Sequence, residues 1–290
     1  MTRSARCLLL AVLLIVPMTY AQIPGVQYRR VLLPVVADGP SSVPGANGSR
    51  WETVLLLTNE GSSPAYVNPV WRSLNCSADG CELPDEILAP HVTVPARIYT
   101  TWFSRDAPSR NGVILRIEDQ YADAIRASLR VHDLSRQDKA WGSILPIVPE
   151  NRFTDAVTLL ALPGQDPNFR VNVRFYSLNT NIPVQVTVQA FAMNTKFASN
   201  PSFEDTLLGT QTITLPKAAA PDWLPHYVQP PDVSPNYFFL SDFTTVTNGA
   251  PPPLMRLEVR SATPGATIWA FATITNNDTQ EVTVVAPAEP

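Results

Sequence analysis

Arg170-Val171-Asn172-Val173-Arg174-Phe175-Tyr176 alternates polar and apolar side chains along its length. Val184-Gln185-Val186-Thr187-Val188-Gln189-Ala190 and Gln211-Thr212-Ile213-Thr214-Leu215 do the same. A period of two belongs to a β-strand, which turns one set of side chains to a core and the other to water. Val54-Leu55-Leu56-Leu57-Thr58 is instead a continuous apolar run, closed by Asn59-Glu60-Gly61, and reads as a buried strand. Proline, at 29 of 290 residues, excludes long helices, because an interior proline costs a helix about 3 kcal/mol. Helix is expected only over 121–125 and 204–208, a turn or so each. Short strands separated by proline, asparagine and glycine turns predict an all-β chain folded as β-sandwiches.

The strand pattern occurs twice. Leu33-Pro34-Val35-Val36 returns as Leu145-Pro146-Ile147-Val148, and Arg50-Trp51 as Arg152-Phe153. Ser73-Leu74-Asn75 matches Ser177-Leu178-Asn179, and Val92-Thr93-Val94-Pro95 matches Ile213-Thr214-Leu215-Pro216. Arg116-Ile117-Glu118 matches Arg256-Leu257-Glu258, with the aliphatic residue inward and the Arg and Glu on the outer face. Ile125–Val131 aligns with Ile268–Ile274. A unit this long is a whole domain rather than a solenoid repeat. The expectation is two tandem antiparallel sandwiches, 22–148 and 149–290. One segment near Pro149 would close the first and open the second. Residues 218–235, with five prolines, have no counterpart and are expected to lie as a loop over the second sandwich.

The N-terminus carries an address. Arg3 and Arg6 precede the apolar run Leu8–Val16, and small residues Thr19 and Ala21 follow. These are the parts of a secretory signal peptide, residues 1–21, with the mature chain starting at Gln22. The run is too short to span a bilayer, so no membrane span is expected in the mature chain. Removing the leader leaves Cys76 and Cys81, which flank the turn-like Ser77-Ala78-Asp79-Gly80. In an oxidising compartment the two are expected to form a structural disulfide. With a net charge of −4 there is no basic excess for nucleic acid. The protein is expected to be secreted or periplasmic.

Several of these stretches bring a family into view. The Leu-Pro-Val-Val opening, the loop Pro44-Gly45-Ala46-Asn47-Gly48-Ser49-Arg50-Trp51 and its strand ending at Thr58-Asn59 belong to that set. So do the Val94-Pro95-Ala96 step and the closing Trp269-Ala270-Phe271-Ala272-Thr273-Ile274-Thr275-Asn276-Asn277-Asp278-Thr279. Together they resemble exported bacterial proteins of uncharacterised function, built from immunoglobulin-like sandwich units often in tandem. The resemblance implies that fold and export, transfers no catalytic motif, and is silent on ligand.

Chemistry is sparse. No G-x-S-x-G nucleophile elbow is present, and His91, His132 and His226 are scattered singly. The acidic pairs Asp85-Glu86, Glu118-Asp119 and Glu204-Asp205 read as loop charges or solvated strand ends. Asn276, Asn277, Asp278 and Glu281 offer oxygens to calcium, or a plain hairpin turn. Asn47-Gly48-Ser49, Asn75-Cys76-Ser77 and Asn277-Asp278-Thr279 match glycosylation acceptors but read as turns in a bacterial chain. Of the tryptophans, Trp51 and Trp269 are expected in sandwich cores. Trp223, with His226 and Tyr227, sits in the proline loop and is the candidate binding surface.

The expected function is a secreted, non-enzymatic binding or adhesion module without cofactor. Its partner would be a protein or cell-surface polymer, met through a sheet face, an edge strand or the proline loop. The alternative is a carbohydrate-binding module using exposed aromatics of the second unit.

Overall fold

The computed structural model describes residues 27–38, 43–69, 86–96, 109–139, 142–164, 166–179, 182–193, 205–216 and 236–288. The leader 1–21, Cys76 and Cys81, and Trp223, His226 and Tyr227 within 218–235 lie outside them. The described chain is mostly strand, in antiparallel sheets. Its first half contributes β1 (Tyr28–Asp38), β2 (Val43–Pro44), β3 (Arg50–Asn59), β4 (Ala65–Pro69) and β5 (Glu86–Leu88). It continues with β6 (Thr93–Ala96), β7 (Ser109–Glu118), β8 (Ile125–Asp133), β9 (Ser143–Leu145) and β10 (Val148–Pro149). The second half holds β11 (Ala156–Pro163), β12 (Phe169–Ser177), β13 (Val184–Ala192) and β14 (Thr206–Leu215). After these come β15 (Asn236–Leu240), β16 (Leu254–Ser261), β17 (Ile268–Asn276) and β18 (Val282–Val285).

Among the described residues, α-helix is limited to single turns, α1 (Asp119–Ala122) and α2 (Thr244–Thr247), beside short 3-10 segments at Ala46–Gly48, Leu134–Lys139 and Glu150–Arg152. Of these, α1 overlaps the first stretch expected to be helical. The second expected stretch, 204–208, is instead the start of β14 from Thr206 onward, paired in register with β13. Strand pairing outweighs local propensity there, since one turn of helix has almost no stability of its own. No helix of the described residues is long and apolar enough to cross a membrane.

Each half builds a sandwich-like pair of sheets around its own core. In the first half, β1-β7-β4-β5 opposes β3-β8-β9, with β6 also paired to β3. In the second, β11-β16-β13-β14 opposes β15-β12-β17-β18. These orders are the same, strand for strand: β1 answers to β11, β3 to β12, β4 to β13, and so on to β9 and β18. Leu32, Leu33, Leu55, Leu57, Leu115 and Leu129 fill the first core. Val173, Phe175, Val186, Val188, Leu257 and Val259 fill the second.

This topology sorts the sequence matches. Ile125–Val131 and Ile268–Ile274 occupy equivalent strands in the same register: Ile125, Ala127 and Leu129 face one core, and Ile268, Ala270 and Ala272 the other. Arg116–Glu118 and Arg256–Glu258 lie on equivalent strands, with Ile117 and Leu257 inward as expected, but not in the same register: Ile117 pairs with Arg29, four residues before the β1 bulge, whereas Leu257 pairs with Leu159 at the β11 bulge. Three matches fail. Leu33–Val36 lies in β1, whose counterpart is β11 and not β9 or β10. Its true partner is Leu159–Leu162: both stretches carry the register shift of a β-bulge at the same place, between Leu33 and Val36 and between Leu159 and Leu162. Arg50-Trp51 opens β3 whereas Arg152-Phe153 precedes β11, and Thr93–Pro95 is in β6 while Ile213–Leu215 ends β14. Ser73–Asn75 lies outside the described residues. The segment near Pro149 only closes the first half: β9 pairs with β8, and Val148 of β10 pairs with Leu32 of β1.

The two halves meet on one face of the sheet that contains β12 and β17. Along β17, Ile268, Ala270 and Ala272 point into the second core, while Trp269 and Phe271 point away from it and into the first. Tyr176 on β12 joins them, fully buried, with its ring centroid 5.9 Å from Trp269 and 6.4 Å from Phe271. Its hydroxyl donates to the carbonyl of Pro34, which sits at the β1 bulge. Trp269 is therefore buried as expected, but it seals the junction rather than its own sandwich.

Candidate functional site

The same face changes character halfway along. Past the aromatic cluster, β12 presents Arg174, Asn172 and Arg170, and the opposed positions of β17 are Phe271, Thr273 and Thr275. Alternation keeps all of these on the outer face, opposite the core-facing Val173 and Val171. Of these, the two arginines, Asn172, Thr273 and Thr275 line a cleft of about 240 Å³ with Val35, Ala37, Ala46, Trp51, Val131 and Leu145 of the first half. A second recess of about 410 Å³ adjoins it, lined by Trp51, His132, Asp133, Arg136, Ser143, Thr279, Gln280 and Glu281 among others. Trp51 borders both.

Trp51 is placed by the loop that precedes it. The backbone turns through Asn47 (φ 54°) and Gly48 (φ 71°), and Gly45 N–H donates to the Ser49 carbonyl at 2.8 Å. Ser49 is buried, its hydroxyl donating to the Ala46 carbonyl at 2.7 Å and accepting from the Trp51 indole N–H at 2.9 Å. Gly45 passes so close to the indole that a Cβ there would lie 2.4 Å from Nε1. Only glycine permits that approach. The loop of the family resemblance thus holds a half-buried tryptophan with its polar edge satisfied.

Arg170 is held from the other side. Its guanidinium donates to Asn277 Oδ1 at 2.8 Å and to Gln280 Oε1. Those residues belong to the β17–β18 turn, which contains the calcium candidates Asn276, Asn277, Asp278 and Glu281. Asn276 Oδ1 accepts from the N–H groups of Asp278 and Thr279 at 2.8 and 2.9 Å, and Asn277 Nδ2 donates to the Pro167 carbonyl. The asparagine oxygens thus serve the turn and Arg170. Among the described residues, no three of His, Cys, Asp or Glu cluster in a way that could hold a metal. The turn also reaches the first half, where Asn47 Nδ2 donates to the Asn277 carbonyl at 3.1 Å. Beside it, Ser143 Oγ donates to the Val282 carbonyl at 2.6 Å.

Asp133 anchors the rim of the second recess. Burial pushes its carboxyl up. That effect is outweighed by donors from Arg50 N–H, the Ser135 hydroxyl and N–H, and the Arg136 guanidinium, so the group titrates below the usual carboxylate range. A depressed folded pKa contributes stability above the unfolded value of about 3.9, and that contribution is lost as pH falls through the folded value. Asp133→Asn is expected to cost about 1–2 kcal/mol at pH 7. It should also flatten the acid limb of a stability–pH curve below about pH 4. An unchanged acid limb in urea melts would contradict this.

The histidines do not converge. His132 Nε2 lies 3.1 Å from Glu52 Oε2, its cross-strand neighbour on β3. His91 sits on a turn with φ 56°, and His226 is outside the described residues. Sequence reading missed Arg170, Asn172 and Arg174 as site residues. Their signal was present, two arginines sharing an outer face with Tyr176, but alternation alone assigns that face to water. No family model, curated protein or solved structure matches the chain.

Proposed function

We propose that the protein is an exported, non-enzymatic binding module that works at or beyond the cell envelope. It would consist of two immunoglobulin-like sandwiches following a cleaved leader. The basic, apolar and small-residue order of residues 1–21 supports export, and Cys76 and Cys81 suit an oxidising compartment. The strand pairs support the finer fold. In each half the first strand pairs with the strand answering to β7, and that strand with β4 or its equivalent. Facing them, β3 pairs β8 and β8 pairs β9, or their equivalents. These are the B–E–D and C–F–G pairings of an immunoglobulin sandwich, if β1 is taken as strand B.

The observation that carries the binding reading is the junction. Aromatic packing fixes one half on the other, and the polar remainder of that shared face opens into a cleft. Ligand sites favour such places between units, and a pre-set cleft avoids the ordering cost of binding. The edge-strand mode keeps one support: β14 is ten residues long, pairs only with β13 among the described strands, and exposes Leu207. The carbohydrate alternative calls on exposed aromatics of the second unit, of which Trp223 and Tyr227 lie outside the described residues. The aromatic found at an open cleft is Trp51, of the first half.

The test is sedimentation of the exported protein with isolated cell envelopes. Binding should saturate and should be weakened by Trp51→Ala in protein that still melts cooperatively. Protein left in the supernatant at every envelope concentration would overturn the proposal.

A further inference from the structure

We infer that the junction cleft takes an acidic sugar ring of a surface polysaccharide, its carboxylate on the arginine floor and its apolar face toward Trp51. This rests on the binding reading above and adds the class of ligand. Charge comes first. The chain is net acidic at −4, yet the described residues lining the cleft include Arg170 and Arg174 and no carboxylate. A guanidinium is a planar fork matched to a carboxylate. Arg170 is already held by Asn277 and Gln280, so its position does not depend on a ligand arriving.

Hydroxyl chemistry comes next. Asn172, Thr273 and Thr275 lie between and opposite the arginines, and offer both donors and acceptors. A ring bearing several hydroxyls uses that mixture, whereas an acidic peptide side chain would need the arginines alone. Size agrees. About 240 Å³ falls below the usual range of roughly 300–1,000 Å³ for drug-sized ligands, and leaves room for about one ring. The wall completes the set: the Trp51 N–H is already bonded to Ser49, so the indole offers apolar surface rather than an unmet donor. The neighbouring recess carries Asp133 and Glu281 beside Arg136, a mixed lining that would not favour an anion.

The experiment titrates the full exported protein with D-glucuronate, D-glucose and acetate, following tryptophan fluorescence and heat, alongside the envelope sedimentation. Glucuronate is expected to bind in the range of about 1 mM, with glucose and acetate each weaker by about tenfold or more. Arg174→Gln should weaken glucuronate by about tenfold at an unchanged melting temperature, and Arg174→Lys should restore part of it. Should Arg174→Gln unfold, Thr273→Val keeps the shape, and it should weaken glucuronate more than acetate. Equal binding of glucuronate and glucose would overturn the charge assignment, and equal binding of acetate would reduce the cleft to a simple anion site. Persistent envelope binding that glucuronate fails to compete would overturn this inference and leave the binding reading standing. Loss of both would remove the two together.

Discussion

Trp269→Ala is expected to destabilise the protein by about 3–5 kcal/mol and to split one thermal transition into two. The side chain is 4% exposed and packs on Phe271 at 5.2 Å between centroids and on Tyr176 at 5.9 Å. All three leave the second sandwich to complete the core of the first. Truncating the indole therefore opens a cavity between the halves. Ile268, Ala270 and Ala272, the residues beside it in the chain, keep the second core intact. The halves should then melt separately, because what coupled them was shared burial and not a covalent linker. Calorimetry reads this directly. A single transition at the original temperature would mean that the junction contributes nothing. The exposed Leu207→Ala is the control, expected to change stability by no more than about 0.5 kcal/mol.

Asn59→Leu is expected to cost about 2–4 kcal/mol, although the two side chains share the same number and branching of heavy atoms. Asn59 is fully buried at the end of β3. Its Nδ2 donates to the carbonyls of Ser63 and Leu88 at 2.8 and 2.9 Å, and its Oδ1 accepts from Gly61 N–H at 2.9 Å. One amide thus pairs three backbone groups, of which the Leu88 carbonyl is buried and those of Gly61 and Ser63 lie nearer the surface. Leucine would leave all three without this partner, at about 1–3 kcal/mol for the buried Leu88 carbonyl and less for the two that water can reach. The loss should appear as a lower urea midpoint at unchanged slope. A shift below about 1 kcal/mol would show that the loop relaxes to let water in. Sequence reading placed Asn59 in a bounding turn. Its position was legible, but its role as a buried hub was not, because Leu88 approaches from 29 residues away.

The duplicated order of strands shows where sequence matching succeeds. Ile125–Val131 and Ile268–Ile274 align correctly because each is a long central strand whose inward residues must fit between two neighbours. Leu33–Val36 and Leu145–Val148 look equally alike and are not equivalent. A short apolar segment with one proline suits an edge, a bulge or a strand end, and its chemistry does not say which. The bulge that does recur, at Leu33–Val36 and Leu159–Leu162, leaves little common residue identity behind, because a bulge is a pairing defect and not a residue type.

What the sequence determined by itself is strand, and the division of each strand into two faces. Arg170, Asn172, Arg174 and Tyr176 share one face of β12 because side chains alternate, and Trp269, Phe271, Thr273 and Thr275 share the matching face of β17 for the same reason. Only the tertiary structure decided what covers that face. Period two tells inner from outer with respect to one sheet. It cannot tell water from a second sandwich, because the cover comes from Pro34, Val35 and Trp51, more than a hundred residues away along the chain. Burial belongs to surfaces brought together. The same strand is therefore sealed at its aromatic end and open at its arginine end, and that difference is what makes the junction both a joint and a cleft.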